Sequence, residues 1–383
     1  MNHSTVALFG AASVEMVALV EKAAKMAAAR VVVEPSLDAL VDWMHQDRPI
    51  AVVTTLSDRS REDIVALRGR APSFTVPVVG ITPEVGDLAF EEAYASGLDD
   101  VCAMHSRRLG SRLRRLVDTG PVSTEPSQRV VVLAYEDPNS RLMIGRAFRN
   151  AGFAVEFASD HEEALERATR PGVHVAVASS TVHGMGKESL SAKAWAAGSQ
   201  VPWIIAAPPK DIGRHEGAIT LPPEARVAVH DAFATPETLL FVVNDLINRP
   251  AVEARESERL LYGATVRFRE AGRDNEDVGY LFNISAGGVY VRTLAPPPRL
   301  SELWLEFVPP RCDRLVHLEG TAVWVRQHDS SANATVPSGF GLQVTGASKA
   351  DMERYGRSYR TFLAERVAAR RRVREEPDER RVA

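Results

Sequence analysis

Cysteine is almost absent. Cys102 and Cys312 are the whole supply in 383 residues. That is too few for a disulfide framework or a zinc site, and such usage points to a reducing compartment, the cytoplasm. Long apolar runs are missing as well. Nothing approaches about eighteen uninterrupted apolar residues, so no membrane span is expected. The opening MNHSTVALFG has no basic stretch ahead of an apolar core, so no signal peptide is expected. Nor does one sign of charge dominate: 46 Lys and Arg face 50 Asp and Glu, a net charge of -4. This argues against a uniformly basic nucleic-acid binder, though not against a local patch. There is no P-loop, G-x-G-x-x-G, G-x-S-x-G or H-E-x-x-H motif. The ten histidines show no metal-ligand spacing, and His105, His174 and His183 read as ordinary surface or strand residues. No metal, cofactor or catalytic constellation is called for, so an enzyme is the least favoured class.

What remains is an average globular composition, 45% apolar and 25% charged, which excludes a disordered or fibrous chain. At about 150 residues per domain, the length predicts two to three domains. Two stretches read as linkers. Thr119–Gln128 is rich in Pro, Gly and small polar residues without apolar periodicity, and a shorter one surrounds Asn248–Ala251. The expected domains are therefore 1–118, 128–249 and 250–370, with a charged tail at 371–383.

The first two segments share one rhythm. In the first, the apolar run Thr5–Phe9, the β-branched run Val31–Val33, Ile50–Val53 and Val78–Ile81 read as strands. Helical patterns lie between them at Ser13–Ala28, Leu37–Met44 and Ser60–Arg68. In the second, Val130–Leu133, Ala154–Phe157, Val173–Ala178, Trp203–Ile205 and Arg226–Val229 read as strands. Helices are expected at Asn139–Asn150, His161–Ala168 and Pro236–Ile247. Alternation of this kind predicts right-handed crossovers and tandem doubly wound parallel sheets.

The third segment changes character. Short strands are expected at Gly279–Asn283, Val289–Thr293, Leu303–Val308, Val316–Leu318, Thr321–Arg326 and Phe340–Val344, separated by Gly, Pro and Ser clusters. That pattern predicts an antiparallel barrel or sandwich. A final helix should start near Ser348, with Asp351 completing an N-terminal box. Its stripe Met352, Tyr355, Tyr359, Phe362 and Val367 should pack on the barrel.

The second segment resembles a response-regulator receiver domain, through Asn139–Val155, Ala158–Leu165 and Phe233–Leu239. The first segment is a fainter match, carried by Pro49–Val53, Val78–Thr82 and Ser96–Asp100. Both therefore imply a flavodoxin-like doubly wound fold. Receivers form an acyl phosphate on an aspartate ending the third strand, beside metal-binding carboxylates, a hydroxyl and a lysine. Aligned by position, the phosphoacceptor falls on Thr55 in the first segment and Ser179 in the second. The lysine falls on Met104 and Asp231, and the hydroxyl on Thr82 and Ala207. Glu136 and Asp137 alone keep metal-binding carboxylates. Both segments are thus expected to be pseudo-receivers that act by docking protein partners or a second copy of the chain.

In the third segment, Arg255-Glu-Ser-Glu-Arg259 precedes Asn283-Ile-Ser-Ala-Gly-Gly288. This resembles the PilZ domain, whose pattern is R-x-x-x-R followed by (D/N)-x-S-x-x-G. The likeness extends over Arg255–Ala364, through Thr321–Val325 and Gly339–Val344. It implies a barrel that binds cyclic di-GMP without catalysis. Arg255 and Arg259 would contact base and phosphate, and Asn283, Ser285 and Gly288 would form the floor. Guanidinium groups suit the task, since they fork onto phosphates and onto the O6/N7 edge of guanine. Asn stands where many relatives carry Asp, and a neutral amide gives up one charge-assisted acceptor. The implied whole is a second-messenger effector acting in motility or surface behaviour. A ligand-independent scaffold with a degenerate barrel is the competing class.

The other signals read as bland. Asn283–Ser285 and Asn333–Thr335 match glycosylation acceptors by chance. The basic run Arg107–Arg115 reads as the exposed face of the first segment's last helix. The arginines of 366–374 read as a solvated helix end ahead of a charged tail.

Overall fold

The computed structural model describes residues 4–10, 12–70, 76–119, 129–233, 236–247, 257–328 and 336–375. Both expected linkers (save Thr119), Arg255, Asn333 and the tail from 376 lie outside the described residues. The chain divides into two compact units. One joins residues 1–123 with 255–330 and 337–362; the other holds 124–254, 331–336 and 363–383.

In the first unit, the leading segment runs β1 (Ser4–Phe9), α1 (Val14–Met26), β2 (Ala29–Glu34), α2 (Leu37–Gln46), β3 (Ala51–Thr55), α3 (Asp58–Arg70), β4 (Val78–Thr82), α4 (Asp87–Ala95), β5 (Asp100–Ala103) and α5 (Ser106–Thr119). The strands form a parallel sheet ordered β2-β1-β3-β4-β5, the flavodoxin-like order. β3 and β4 are continuous apolar runs because both sheet faces are covered. Ser13 and Ser36 start α1 and α2 by accepting from the amides of Met16 and Ala39. No side-chain start signal precedes α4, whose cap, Gly86, makes no side-chain bond.

The second unit repeats the architecture with β6 (Val130–Ala134), α6 (Pro138–Asn150), β7 (Ala154–Ala158), α7 (His161–Ala168), β8 (Val173–Ser179), α8 (Ser180–His183), α9 (Leu190–Ala196), β9 (Trp203–Ala207), α10 (Ile212–Ala218), β10 (Val227–Asp231) and α11 (Pro236–Ile247). Its sheet order, β10-β9-β8-β6-β7, is the same topology. His183 corrects a sequence expectation. It is not a surface residue but lies buried at the end of α8, edge-on to Trp203.

The barrel completes the first unit with β11 (Leu260–Leu261), β12 (Thr265–Glu270), β13 (Asp277–Ser285), β14 (Gly288–Arg292), β15 (Glu302–Phe307), β16 (Val316–Arg326) and β17 (Gly339–Ala347), then α12 (Lys349–Glu375). All pairs are antiparallel. The six strands β12 to β17 close into a ring through the β13–β14 pairing, and β11 pairs further along β13. The two strands expected at 316–318 and 321–326 are one. Gly320 sits at a register shift inside β16, where a Cβ would meet the Gln343 carbonyl of β17. On α12, Tyr355 and Tyr359 are buried as expected. Met352 is exposed instead, and Ser358 takes the inward position.

Within this unit, α4, β5 and α5 pack on the barrel. Phe90, Ala93, Leu98 and Val101 share one apolar cluster with Val278 and Tyr280 of β13. Arg292, ending β14, lies 3.3 Å over the Tyr94 ring. The Tyr280 hydroxyl donates to Glu91 at 3.1 Å. A buried charge network runs through the middle. Arg112 is 1% exposed, so the basic run on α5 is not a uniformly solvated face. Its Nε donates to Asp100 at 2.9 Å, its Nη1 to Asp277 at 3.0 Å and its Nη2 to the Val278 carbonyl at 2.8 Å. Burial opposes the guanidinium charge, but Asp100 and Asp277 outweigh it and hold the Arg112 pKa well above its ordinary value. Burial also pushes the Asp100 carboxyl up, against Arg112 and the amides of Leu294 and Val101. The donors decide for the carboxylate, since a protonated oxygen would turn its O–H toward an N–H.

Candidate functional site

β13 and β14 meet in a hairpin whose last pair is Ser285 with Gly288. The turn closes on itself, because the Ser285 hydroxyl donates to the Gly288 carbonyl at 3.2 Å. Gly288 is required by packing: a Cβ there would sit 2.5 Å from the Leu342 carbonyl of β17. Gly287 has open space where its Cβ would be, so the fold does not demand glycine there.

Arg259 is exposed and directly precedes β11. Leu260 pairs with Ile284, so the antiparallel register carries Arg259 toward Ser285. Leu261 pairs with Asn283 itself. The structure therefore gathers Arg259, Asn283, Ser285 and Gly288 at one end of the barrel. Arg255 falls outside the described residues.

Asn283 is the telling member. It is 7% exposed, and it faces Leu261 across the β11–β13 pairing. Its amide, with two donors and an acceptor, lies two positions along β13 from the residue that Arg259 approaches.

Three residues complete the site that the sequence motif did not include. Tyr355 of α12 donates to the Ser285 carbonyl at 2.6 Å. Tyr359 donates to the Glu258 carbonyl at 2.7 Å. Ser257 accepts from the Ala286 amide at 3.1 Å. The two tyrosines were legible only as part of an apolar stripe, which does not reveal where a hydroxyl lands.

The receiver-like positions sit at the strand ends where the alignment put them. Thr55 ends β3 and Ser179 ends β8. Ser179 caps α8, its hydroxyl accepting from the Val182 amide and lying 2.9 Å from Thr181. Asp137 caps α6, accepting from the amides of Asn139 and Ser140. The Ser140 hydroxyl and amide hold its pKa below the ordinary carboxylate value. Ala207 ends β9, and Asp231 ends β10 and accepts from the Phe233 amide. Among the described residues no group of His, Cys, Asp and Glu could hold a metal, and no helix is long and apolar enough to cross a membrane.

No curated protein matches the chain. Among solved structures it is similar to the Bacillus subtilis inhibitor of motility, at 15% identity and TM-score 0.25, over 30% of this chain and 53% of that one. The match thus spans about half of that protein's length. It is similar to a probable two-component response regulator/GGDEF domain protein at 16% identity and TM-score 0.34, over 63% of this chain and 97% of that one. It is also similar to the PilZ domain of a protein from a cellulose-synthesizing bacterium, at 15% identity and TM-score 0.21, over 29% of this chain and 99% of that one. The sequence profile of the PilZ domain matches residues 253–360. That span contains the hairpin, the arginine before β11 and the helix that holds them: residues 253–360 are a PilZ domain, preceded in the chain by two receiver-like folds.

Proposed function

We propose that this chain is a non-enzymatic cyclic di-GMP effector whose ligand binds at Arg255, Arg259, Asn283, Ser285 and Gly288. The observation that carries the proposal is the register that brings Arg259 and Asn283 to the Ser285–Gly288 hairpin, in a barrel that the PilZ profile matches. The amide offers two donors and an acceptor to a base edge, and the guanidinium offers a fork to phosphate. Titration calorimetry tests the reading. The wild-type chain binds cyclic di-GMP. Arg259→Ala loses about 1–3 kcal/mol, roughly tenfold to a hundredfold in affinity, and gives no isotherm at micromolar ligand. Unchanged affinity in that variant sinks the assignment and favours the scaffold class.

Asn283 gives a sharper contrast. Asn283→Leu is expected to weaken binding about tenfold or more while leaving the unfolding midpoint in place, because it removes the donors and acceptor offered to a base edge. A lowered midpoint with intact binding would assign Asn283 to the fold alone.

The receiver-like folds act, in this reading, without phosphoryl transfer. Neither Thr55 nor Ser179 is a carboxylate, and the Ser179 hydroxyl is occupied in capping α8. Incubation with acetyl phosphate or beryllofluoride should leave mass and spectra unchanged, whereas a stoichiometric shift overturns this point. The first fold already has its α4–β5–α5 face against the barrel. We therefore assign partner docking, in a cytoplasmic setting and with motility as the output, to the second.

A further inference from the structure

Residues 257–259 end the arm that leads into β11 and carry Arg259 to the site. The structure shows its last residues already held. Tyr355 and Tyr359 stand one turn apart on the inward face of α12. Tyr355 fixes the floor of the site through the Ser285 carbonyl, and through the Gly288 carbonyl at 3.3 Å. Tyr359, 4% exposed, fixes the arm through the Glu258 carbonyl. Ser257 then ties arm to floor through the Ala286 amide. One helix face thereby sets the distance between Arg259 and the hairpin.

We propose that Tyr359 and Ser257 are positioning residues for the ligand site, and that α12 acts as a latch keeping Arg259 beside Asn283 before ligand arrives. The inference rests on the cyclic di-GMP reading and adds to it which residues outside the motif set its affinity. The physical basis is preorganisation. A backbone residue that is already ordered contributes no ordering cost on binding, and ordering one residue corresponds to roughly tenfold in affinity.

The test uses the full chain, cyclic di-GMP titration and hydrogen exchange of the ligand-free protein. Tyr359→Phe keeps the ring and removes the hydroxyl. It should weaken binding about tenfold, leave the unfolding midpoint in place and speed exchange at the Arg259 and Leu260 amides. Ser257→Ala should weaken binding similarly, and Ser257→Thr, which retains the hydroxyl, should restore it. In an Arg259→Lys background, Tyr359→Phe should add little further loss, because the hydroxyl acts through residue 259. Full additivity there overturns the latch, as does wild-type affinity in both Tyr359→Phe and Ser257→Ala. If the wild-type chain binds and these variants match it, the ligand reading survives and the latch does not. A flat wild-type titration removes both.

Discussion

Arg112→Ala should lower the unfolding free energy of the first compact unit by about 3–5 kcal/mol, the range for removing one partner of a buried ion pair. The cost comes from what is left behind. Asp100 is fully buried and accepts from Arg112, from the Leu294 amide at 2.8 Å and from the Val101 amide at 2.8 Å. Without the guanidinium, that carboxyl is left in a low-dielectric site with two amides, the Thr293 hydroxyl at 3.4 Å and no cation. Asp277 and the Val278 carbonyl lose a donor in the same step. Arg112→Lys should fall between, because a single ammonium cannot reach Asp100, Asp277 and Val278 together as the planar fork does. The triple change Arg112→Met, Asp100→Asn, Asp277→Asn should recover much of the loss, since no uncompensated charge then remains. Urea unfolding followed at Trp304 of β15 and Trp324 of β16, both in this unit, measures it. A loss below about 1 kcal/mol for Arg112→Ala, the scale of an exposed pair, would contradict the account.

That network also marks where sequence reading stops. All strands of the receiver-like sheets except β5 are legible because apolar, largely β-branched runs recur between helical patterns, and the flavodoxin-like order comes with the receiver resemblance. Arg112 was not legible from the charge run alone. The missed signal is spacing: Leu109, Leu113 and Leu116 are the buried stripe of α5, and Arg112 lies three residues after Leu109 on the same side. β12 is legible only as the short alternation of Val266 and Phe268 with polar residues in Thr265–Glu270, outside the strands expected from the longer apolar runs. The ligand motif was legible as a pattern, whereas its mechanics were not. No spacing rule tells that Gly288 is needed against Leu342 or that Tyr359 reaches Glu258. These are contacts between residues about 50 to 100 positions apart, which only the closed barrel brings together.

The second large effect concerns acid and the other compact unit. His183 is buried, with Nδ1 2.9 Å from the Gly184 carbonyl and Nε2 3.0 Å from the Ser191 hydroxyl. The Ser191 amide also donates to Nε2, at 3.3 Å. A carbonyl only accepts and an amide N–H only donates, so the neutral ring carries its proton on Nδ1. A second proton on Nε2 would face the Ser191 N–H. Burial lowers the His183 pKa from 6.5 to about 4, with nearby His215 and His161 adding in the same direction and the Gly184 carbonyl opposing. Because the folded value lies below the unfolded one, the unfolded state takes up a proton first. The stability from this group is complete above about pH 6.5, falls as pH drops from 6.5 toward 4, and levels off below that. A depression of this size corresponds to about 3 kcal/mol. His215 and His230, whose pKa values burial also lowers, act with the same sign. His183→Gln retains a donor and an acceptor but does not titrate. Denaturant unfolding of this unit between pH 7.5 and 4 should therefore show a clearly shallower fall in the variant than in the wild type. Equal slopes would mean that the ring is solvated enough to protonate in the folded state, and that the contact with Ser191 yields without cost.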